Sequence, residues 1–241
     1  MLLSETAVTV FRIVNNGRIK QDGNYSPNHE NNRMNSLSGL YAITDDSLLG
    51  NHLLPAVEAA LAGGCRVVQY RNKEADRNKQ LAEANALLIL CNQYSAKLLI
   101  NDNAQLAADV SAHGVHLGQD DMPIAQARAL LGQQAIIGIT CHDSLALALE
   151  AQQAGADYVA FGRFFSSNTK PSASPADLSV LRAAKAQLTI PVVAIGGITL
   201  DNAPSVITAG ADMLAVVGDL FGGADITDRS RAYCKLFTGN H

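Results

Sequence analysis

Basic and amide side chains gather directly after one short apolar run of the chain. Gln69, Arg71 and Lys73 occupy alternate positions there, so a strand through this run would place all three on one face. Lys170 lies in a polar segment further along the chain. Lysine and arginine form strong, charge-assisted hydrogen bonds with phosphate oxygens. Together the three cations indicate an anionic ligand that is larger than a single phosphate.

Carboxylates close the next two apolar runs. Asp102 follows Asn101 at the end of the first, and Asp120 and Asp121 follow the second. If these runs are neighbouring parallel strands, their carboxyl ends meet at one rim and the carboxylates converge. Oxygen ligands of this kind suit a hard divalent cation such as Mg²⁺. Carboxylates beside cations therefore predict a diphosphate that is bound through a metal ion.

Two further runs end in residues with little or no side chain. Gly197 closes one, while Val217 and Gly218 close the other, which leaves backbone N–H groups open to an anion. In α/β barrels such groups commonly bind phosphate after the last two strands. Thr140 and His142 add a hydroxyl and an imidazole at alternate positions of another run. These sites indicate a second phosphorylated substrate and group transfer with loss of diphosphate.

These residues need a scaffold that brings many chain segments to one rim. Short apolar runs alternate with longer Ala- and Leu-rich stretches, a pattern typical of parallel strands covered by helices. The runs span residues 39–44, 66–71, 97–102, 114–118, 135–140, 158–162, 191–197 and 213–218. Eight such units in about 200 residues predict an α/β fold, a (β/α)₈ TIM barrel rather than an open doubly wound sheet. The long segment after the sixth run, 163–174, is interpreted as an active-site lid.

Composition limits the partners and the compartment. The chain has 241 residues with 18 Lys and Arg against 22 Asp and Glu, and its net charge of −4 argues against nucleic-acid binding. No apolar run approaches the roughly 20 residues that span a bilayer, which argues against a membrane partner. Four dispersed cysteines favour a reduced, cytoplasmic protein with neither a zinc site nor a disulfide framework. The Ala-rich helices are compatible with a homo-oligomer.

The first part of the chain differs from the rest. Residues 15–38 are polar and Asn-rich, and such segments bury too little apolar surface to offset the entropy of ordering. We therefore expect residues 1–38 to form a disordered leader and residues 39–241 to form a single barrel domain. Met34 lies just before the periodic sequence, which suggests it as an alternative translation start.

Five short motifs, taken in order, resemble the thiamine-phosphate synthase family. They are VQYRNK at 68–73, LIND at 99–102, GVHLGQDD at 114–121, the Thr169-Lys170 pair and VAIGGI at 193–198. The resemblance covers residues 39 to about 220. It implies a (β/α)₈ barrel that joins a hydroxymethylpyrimidine diphosphate to a thiazole phosphate or its carboxylated form. The products are thiamine phosphate and diphosphate, and the implied mechanism is dissociative with Mg²⁺ as the cofactor.

The same resemblance implies roles for individual residues. Gln69, Arg71, Lys73 and Asn101 would hold the pyrimidine diphosphate, and Lys170 would join Arg71 and Lys73 as catalytic cations at the departing diphosphate. The implied Mg²⁺ ligands are Asp102 and Asp121. The implied substrate contacts elsewhere are Thr140, Ser167, Thr169, Gly197, Val217 and Gly218.

The chain departs from the family pattern at three positions. Arg163 and Ser166 stand where proline is frequent, and Gly218 stands where serine is common. Gly218 loses a hydroxyl donor but keeps its N–H. Thr140 replaces the usual serine and keeps the hydroxyl.

Ordinary structural roles compete with these assignments. Arg71 and Lys73 could pair with Glu74 or Asp76, which follow them. A helix near Ala104 could use Asp102 as its N-cap. The same applies to Asp120 and Asp121 before the next helix. The interpretation favoured for His116, inside an apolar run, is a hydrogen-bonded core histidine, and the role of His142 stays open.

Two other functions share this barrel. A thiazole tautomerase would aromatise the thiazole phosphate without joining it to a pyrimidine, and it has no need for Asp102, Asp121 and Lys170 together. A catalytically silent barrel would bind thiazole phosphate as a regulatory protein, and the lid residues argue against it.

Overall fold

A closed barrel of eight parallel strands forms the centre of the protein. The computed structural model describes residues 37–73, 76–165 and 176–238. The strands are Gly39–Ile43 (β1), Val67–Tyr70 (β2), Lys97–Asn101 (β3), Gly114–Leu117 (β4), Ile136–His142 (β5), Tyr158–Phe161 (β6), Val192–Ile195 (β7) and Met213–Val216 (β8). They pair in sequence order and β1 closes the barrel against β8. The predicted (β/α)₈ fold is confirmed.

Helices cover the outside of the barrel. In the described residues they are Asp46–Leu49 (α1), Leu53–Ala62 (α2), Arg77–Gln93 (α3), Ala104–Val110 (α4), Ile124–Leu131 (α5), Leu145–Gln153 (α6), Ser179–Gln187 (α7), Ala203–Thr208 (α8), Gly218–Phe221 (α9) and Ile226–Thr238 (α10). A 3₁₀ turn, Gly50–His52, joins α1 to α2. None of the described helices is long and apolar enough to cross a membrane.

The apolar residues form two layers. Every residue of β2, β4, β6 and β8 is buried, as expected where one face of a strand meets the helices and the other meets the barrel interior. The interior cluster includes Tyr41, Tyr158 and Met213, together with Leu37, which precedes β1 and is only 3% exposed. The packed barrel therefore includes Leu37, two residues before the predicted boundary. Residues 1–36 of the expected leader lie outside the described residues.

One glycine makes room for the largest interior side chain. A Cβ on Gly138 of β5 would lie 1.9 Å from the Tyr158 ring, so only glycine allows this ring to pack inside the barrel. Tyr158 packs edge-on against Tyr41 at a centroid distance of 5.9 Å and stacks on His116 at 5.6 Å. Three rings from β1, β4 and β6 therefore pack together inside the barrel, beside the aliphatic residues of the interior cluster.

The four cysteines are free. Cys65, Cys91 and Cys141 are buried and Cys234 is half-buried. Burial raises the pKa of the Cys65 and Cys141 thiols to about 12. These thiols remain protonated near neutral pH and behave as small apolar side chains.

Candidate functional site

The ends of β3 and β4 bring two carboxylates together at the carboxyl rim of the barrel. Asp102 directly follows β3, and its backbone N–H donates to the His116 carbonyl at 2.8 Å. Asp121 lies in the turn after β4, where its Oδ2 accepts from the Gly118 N–H at 2.7 Å. The two carboxyl groups are close enough that Asp121 raises the pKa of Asp102.

Asp102 is held in an unfavourable electrostatic environment. Burial raises its pKa above the ordinary value of 3.8, and the charge and hydrogen bond of Asp121 raise it further. Lys73 and Asn101 act in the opposite direction, and the Lys73 Nζ lies 3.7 Å from Asp102 Oδ2. Asp102 also has a backbone φ of 61°, in the left-handed region that is uncommon for residues other than glycine. A bound cation would relieve the repulsion between the two carboxylates.

Neither carboxylate caps a helix. Asn103 is the N-cap of α4, and its Oδ1 accepts from the Leu106 N–H at 2.9 Å. Helix α5 begins after Pro123, which provides no side-chain cap. The capping roles that the sequence left open for Asp102 and Asp121 therefore do not occur.

Strand β2 ends before the two cations that follow Gln69. The strand ends at Tyr70, because the next N–H, that of Arg71, donates to the Thr44 side chain at 2.9 Å rather than continuing the ladder. Gln69 points into the barrel and is 2% exposed. The strand alternation that would place Gln69, Arg71 and Lys73 on one face therefore does not extend to Arg71 and Lys73.

The two cations of this segment have separate partners. Arg71 Nη1 donates to Asp45 Oδ2 at 3.0 Å, beside the end of β1. Lys73 faces Asp102, and its side chain is 56% exposed, so its ammonium group is accessible to a ligand. Asp76, one of the alternative partners suggested by the sequence, caps α3 through the Lys79 N–H instead.

Thr140 and His116 meet at the barrel mouth. His116 Nε2 lies 2.8 Å from Thr140 Oγ1, and its Nδ1 lies 2.8 Å from the Tyr158 hydroxyl. His116 is 8% exposed and is a hydrogen-bonded core histidine, as the sequence analysis favoured. His142 is exposed at the end of β5, where the ladder to β6 is interrupted by a register shift.

Backbone groups line the ends of β7 and β8. Gly197 has a positive φ of 65°, and Asn202 fixes its carbonyl through a 2.9 Å hydrogen bond from Nδ2. Val217 precedes α9, which begins at Gly218. Asp219 accepts from the Tyr233 hydroxyl at 2.6 Å and from Arg229 at 3.1 Å, which ties α9 to α10. These contacts fix the backbone of both strand ends without occupying them with side chains.

The predicted lid contacts Ser167, Thr169 and Lys170, with Ser166 beside them, lie outside the described residues. Arg163, which precedes them, lies against Gly196, since a Cβ on that glycine would come within 2.2 Å of the Arg163 Cβ. The start of the predicted lid is therefore packed on the loop after β7.

Two tyrosines and one aspartate of this region were not predicted. Tyr41 and Tyr158 connect Gln69 to His116 through their hydroxyls. A tyrosine within an apolar strand is a usable signal, because a buried hydroxyl needs a partner. Asp45, the partner of Arg71, could not be found this way because the pair is 26 residues apart in the sequence.

The donor set fits magnesium better than a transition metal. In the described ranges no three His, Cys, Asp or Glu side chains gather as a metal cluster, and the carboxylates of Asp102 and Asp121 are the acidic pair at the rim. Magnesium is commonly held by one or two carboxylates, with water and substrate phosphate completing its shell. The Asp102–Asp121 pair meets this requirement if the substrate supplies phosphate oxygens.

Comparison with known proteins gives a consistent result. The family profile described as thiamine monophosphate synthase matches residues 40–220. A thiamine-phosphate synthase of Marinobacter nauticus is 55% identical over 206 residues, covering 84% of this chain and 92% of the relative. The solved thiamine phosphate pyrophosphorylase of Pyrococcus furiosus matches with a TM-score of 0.74 and 35% identity, covering 85% of this chain and 96% of that one. A pyrophosphorylase of Bacteroides thetaiotaomicron, 19% identical with a TM-score of 0.62 over 84% of this chain and 99% of its own, shares the fold.

Proposed function

The chain belongs to the thiamine monophosphate synthase family and is a transferase of thiamine biosynthesis, and from this premise we propose its reaction in full. It joins 4-amino-2-methyl-5-(diphosphooxymethyl)pyrimidine to a thiazole phosphate or its carboxylated form, releasing thiamine phosphate and diphosphate. With the carboxylated form CO₂ is released as well, and the carbon that carried the carboxylate takes a proton from water. The observation that carries the proposal is the meeting of Lys73 with the Asp102–Asp121 pair at one rim. Such a rim suits a diphosphate, which needs both a cation and metal-binding carboxylates.

The diphosphate is held between the ends of β2, β3 and β4. Lys73 is exposed and is already 3.7 Å from Asp102, so it can contact a ligand bound at the carboxylates. The salt bridge to Asp45 holds the Arg71 guanidinium in one orientation. A guanidinium has five N–H donors, so this pairing leaves donors for phosphate oxygens. Lys170 of the predicted lid supplies the third cation.

Asp102 and Asp121 would hold the Mg²⁺ ion together with oxygens of the diphosphate. The ion, when bound, neutralises charge on the diphosphate and makes it a better leaving group. This role also accounts for the environment of Asp102. Its charge is disfavoured by burial and by Asp121 in the metal-free protein, and a cation compensates both effects.

With the uncarboxylated thiazole phosphate, the reaction breaks one bond and forms another without a net proton transfer. The C–O bond between the exocyclic methylene and the diphosphate breaks, and its electron pair leaves with the diphosphate. The electron-rich aminopyrimidine stabilises the resulting methylene cation. The lone pair of the thiazole nitrogen then forms the new C–N bond. The residues of this chain therefore contribute placement and fixed positive charge rather than general acid–base catalysis.

The thiazole partner occupies the opposite side of the mouth. Its phosphate binds the backbone N–H groups at Gly197, Val217 and Gly218, after β7 and β8. Ser167 and Thr169 contribute hydroxyl contacts from the predicted lid. Since Gly218 has no side chain, this phosphate depends on the backbone there.

A single assay tests the proposal. The protein is incubated with both phosphorylated precursors, with and without Mg²⁺, and thiamine phosphate and diphosphate are quantified. We expect both products in equal amounts and only with Mg²⁺. Aromatised thiazole phosphate without coupling would instead indicate a tautomerase, and absence of every product with retained thiazole phosphate binding would indicate a regulatory barrel.

A further inference from the structure

A continuous chain of hydrogen bonds crosses the barrel interior between two substrate-binding positions. The Gln69 amide nitrogen lies 2.6 Å from the Tyr41 hydroxyl, which lies 2.8 Å from the Tyr158 hydroxyl. Tyr158 in turn lies 2.8 Å from His116 Nδ1, and His116 Nε2 lies 2.8 Å from Thr140 Oγ1. The chain joins β2, β1, β6, β4 and β5 in that order. Its end residues, Gln69 and Thr140, are among those expected to contact substrate, and its three central residues lie between them.

The donors and acceptors of these hydrogen bonds can be assigned in one direction, starting from Gln69. Gln69 Nε2 can only donate, so the Tyr41 oxygen is an acceptor there. The geometry of the 2.8 Å Tyr41–Tyr158 bond allows either hydroxyl to donate. Because the Tyr41 oxygen already accepts from Gln69, we assign the Tyr41 proton to this bond. Tyr158, having accepted from Tyr41, donates to His116 Nδ1. A neutral imidazole with an acceptor at Nδ1 carries its proton on Nε2, which therefore donates to Thr140.

This direction of donation determines which hydrogen-bonding group Gln69 and Thr140 each offer to a substrate. Thr140 Oγ1 accepts from His116, so its own proton is available to a ligand as a hydrogen-bond donor. Thr140 is half-buried at the mouth, where the anionic substrates bind. At the other end, the amide nitrogen of Gln69 donates to Tyr41. The side-chain carbonyl oxygen of Gln69 has no hydrogen-bond partner among the described residues. That oxygen is a buried acceptor, and an amino group on a pyrimidine is a matching donor.

We propose that Tyr41, Tyr158 and His116 are positioning residues that fix Gln69 as an acceptor and Thr140 as a donor toward the substrates. This proposal rests on the proposed function. The three residues do not contact substrate; they determine the orientation of one amide and one hydroxyl that do. If the hydrogen bonds were donated in the opposite direction, Thr140 would present an acceptor lone pair to an anionic ligand.

The surroundings of these hydrogen bonds keep the two tyrosine hydroxyls protonated and restrict the rotation of the rings. Burial raises the pKa of both the Tyr41 and the Tyr158 hydroxyl, so both remain protonated and able to donate at any physiological pH. Ring packing restricts rotation, since Tyr158 is edge-on to Tyr41 and stacked on His116. A chain that is buried, protonated and packed in this way has few alternative arrangements.

The tautomer of His116 tests the direction without any substrate. Long-range ¹H–¹⁵N NMR spectra of ¹⁵N-labelled protein at about pH 8, where an unperturbed imidazole is neutral, distinguish the two ring nitrogens. The spectrum of His116→Gln identifies the His116 resonances. We expect the proton on Nε2. A proton on Nδ1 would show that the chain runs from Thr140 to Gln69 and would overturn the proposal, whatever the enzyme assay gives.

The functional part is tested by removing one hydroxyl from the middle of the chain. Tyr158→Phe keeps the ring that packs beside Gly138. We expect kcat/KM to fall about tenfold, because the hydrogen bond between Thr140 and substrate is no longer oriented. Tyr94→Phe is the matched control, because Tyr94 lies at the end of α3 and takes no part in this series of hydrogen bonds. Wild-type kcat/KM in Tyr158→Phe would overturn the proposal.

A double-mutant cycle separates positioning from packing. Thr140→Val removes the donor that the chain orients, so Tyr158→Phe should cost much less in that background than in the wild type. Thr140→Ser keeps a hydroxyl and should keep the full effect of Tyr158→Phe. Equal losses in the wild-type and Thr140→Val backgrounds would show that Tyr158 does not act through Thr140, and would overturn the proposal.

Discussion

Asp102 combines an unfavourable charge with an uncommon backbone conformation. Burial and Asp121 both raise its pKa, and its φ is 61°. Residues held in such states often belong to functional sites, where a ligand provides the missing compensation. The same features decide how the residue should be tested. Asparagine adopts the left-handed conformation more readily than alanine, so Asp102→Asn removes the charge with little backbone strain.

We predict that Asp102→Asn abolishes Mg²⁺-dependent turnover while the metal-free protein keeps or increases its Tm. The loss of turnover follows from the lost ligand, and the gain in stability follows from removing a repulsion with Asp121. Steady-state assays across a Mg²⁺ titration and differential scanning calorimetry give the two results. Asp120→Asn, one residue from Asp121 and exposed, is the control. Unchanged turnover in Asp102→Asn would reject the metal-binding role.

The pH dependence of stability follows from the same carboxyl group. Because its pKa is raised above 3.8 on folding, the folded state binds this proton more tightly than the unfolded state does. The contribution of Asp102 to stability is therefore present at low pH and is lost as the pH rises through its folded-state pKa. We expect the metal-free Tm of the wild type, relative to Asp102→Asn, to fall as the pH rises above about 4. A difference that is constant with pH would contradict the raised pKa.

Mg²⁺ should reverse this trend, because the ion and the proton compete for the same oxygens. We predict that the increase in Tm on adding Mg²⁺ and inorganic diphosphate grows as the pH rises from about 4 to 7. Thermal shift measurements at fixed Mg²⁺ concentration test this, with Asp102→Asn as the variant that should show no increase. An equal shift in wild type and Asp102→Asn would place the ion elsewhere.

The segment after β2 is held in place by hydrogen bonds of Asn72. The side-chain Nδ2 of Asn72 donates to Asp46 Oδ1 at 2.9 Å and to Glu83 Oε2 at 3.1 Å. The backbone carbonyl of Asn72 accepts from Gln80 Nε2 at 3.1 Å. Tyr70 also donates to Glu83, at 2.6 Å. Asn72 therefore ties the segment between Arg71 and Lys73 to both α1 and α3.

We predict that Asn72→Ala raises the KM for the pyrimidine diphosphate about tenfold, because Arg71 and Lys73 lose their fixed backbone. A smaller change is expected in the KM for the thiazole phosphate, which binds at β7 and β8. Steady-state kinetics with each substrate varied in turn give both values. Asn85→Ala, an exposed asparagine on α3, serves as the control. Equal increases for both substrates would indicate a general loss of structure.

The elements themselves could be predicted well from the sequence. Each of the eight apolar runs overlaps a strand, with β5 continuing past its run to His142. The alternation of buried runs with Ala-rich helices is a local signal. The directions of Arg71 and Gln69 could not be predicted. They depend on Thr44, Asp45 and Tyr41, which lie 26 to 28 residues earlier in the chain and contact this segment only through the barrel. Whether Asp102 caps a helix was similarly decided by its neighbour Asn103.

Carboxylates have different roles at the two ends of the barrel. At the carboxyl rim, Asp102 and Asp121 repel each other. At the amino end, Asp157 accepts from the Ile137 N–H at 2.8 Å, and Asp212 accepts from the Val192 N–H at 2.9 Å. The backbone N–H of each aspartate donates to the carbonyl of the same strand residue, at 2.8 Å in both cases. These paired bonds fix the starts of β5 and β7 against β6 and β8, so the acidic residues there stabilise the barrel.

The separation of the two ends predicts that stability and activity can be changed independently. Asp157→Ala removes the acceptor from the buried Ile137 N–H and breaks the 2.6 Å ion pair with Arg128. We expect a loss of about 1–3 kcal/mol in the free energy of unfolding, the cost of a buried donor without a partner. Both kcat and KM should stay at wild-type values at temperatures well below the new Tm. Urea denaturation and steady-state kinetics measure the two quantities.

Asp228→Ala provides the matched control for that loss, since it removes an equally charged side chain that is 67% exposed and pairs with Arg231 on the surface of α10. Exposed ion pairs contribute little, so we expect a change below about 0.5 kcal/mol. A fall in kcat for Asp157→Ala under conditions where the protein is fully folded would mean that the two ends are coupled. The carboxyl rim would then depend on strand positions set at the far end of the barrel, and the hydrogen-bond chain through Tyr158, the residue that follows Asp157, would be the route to examine first.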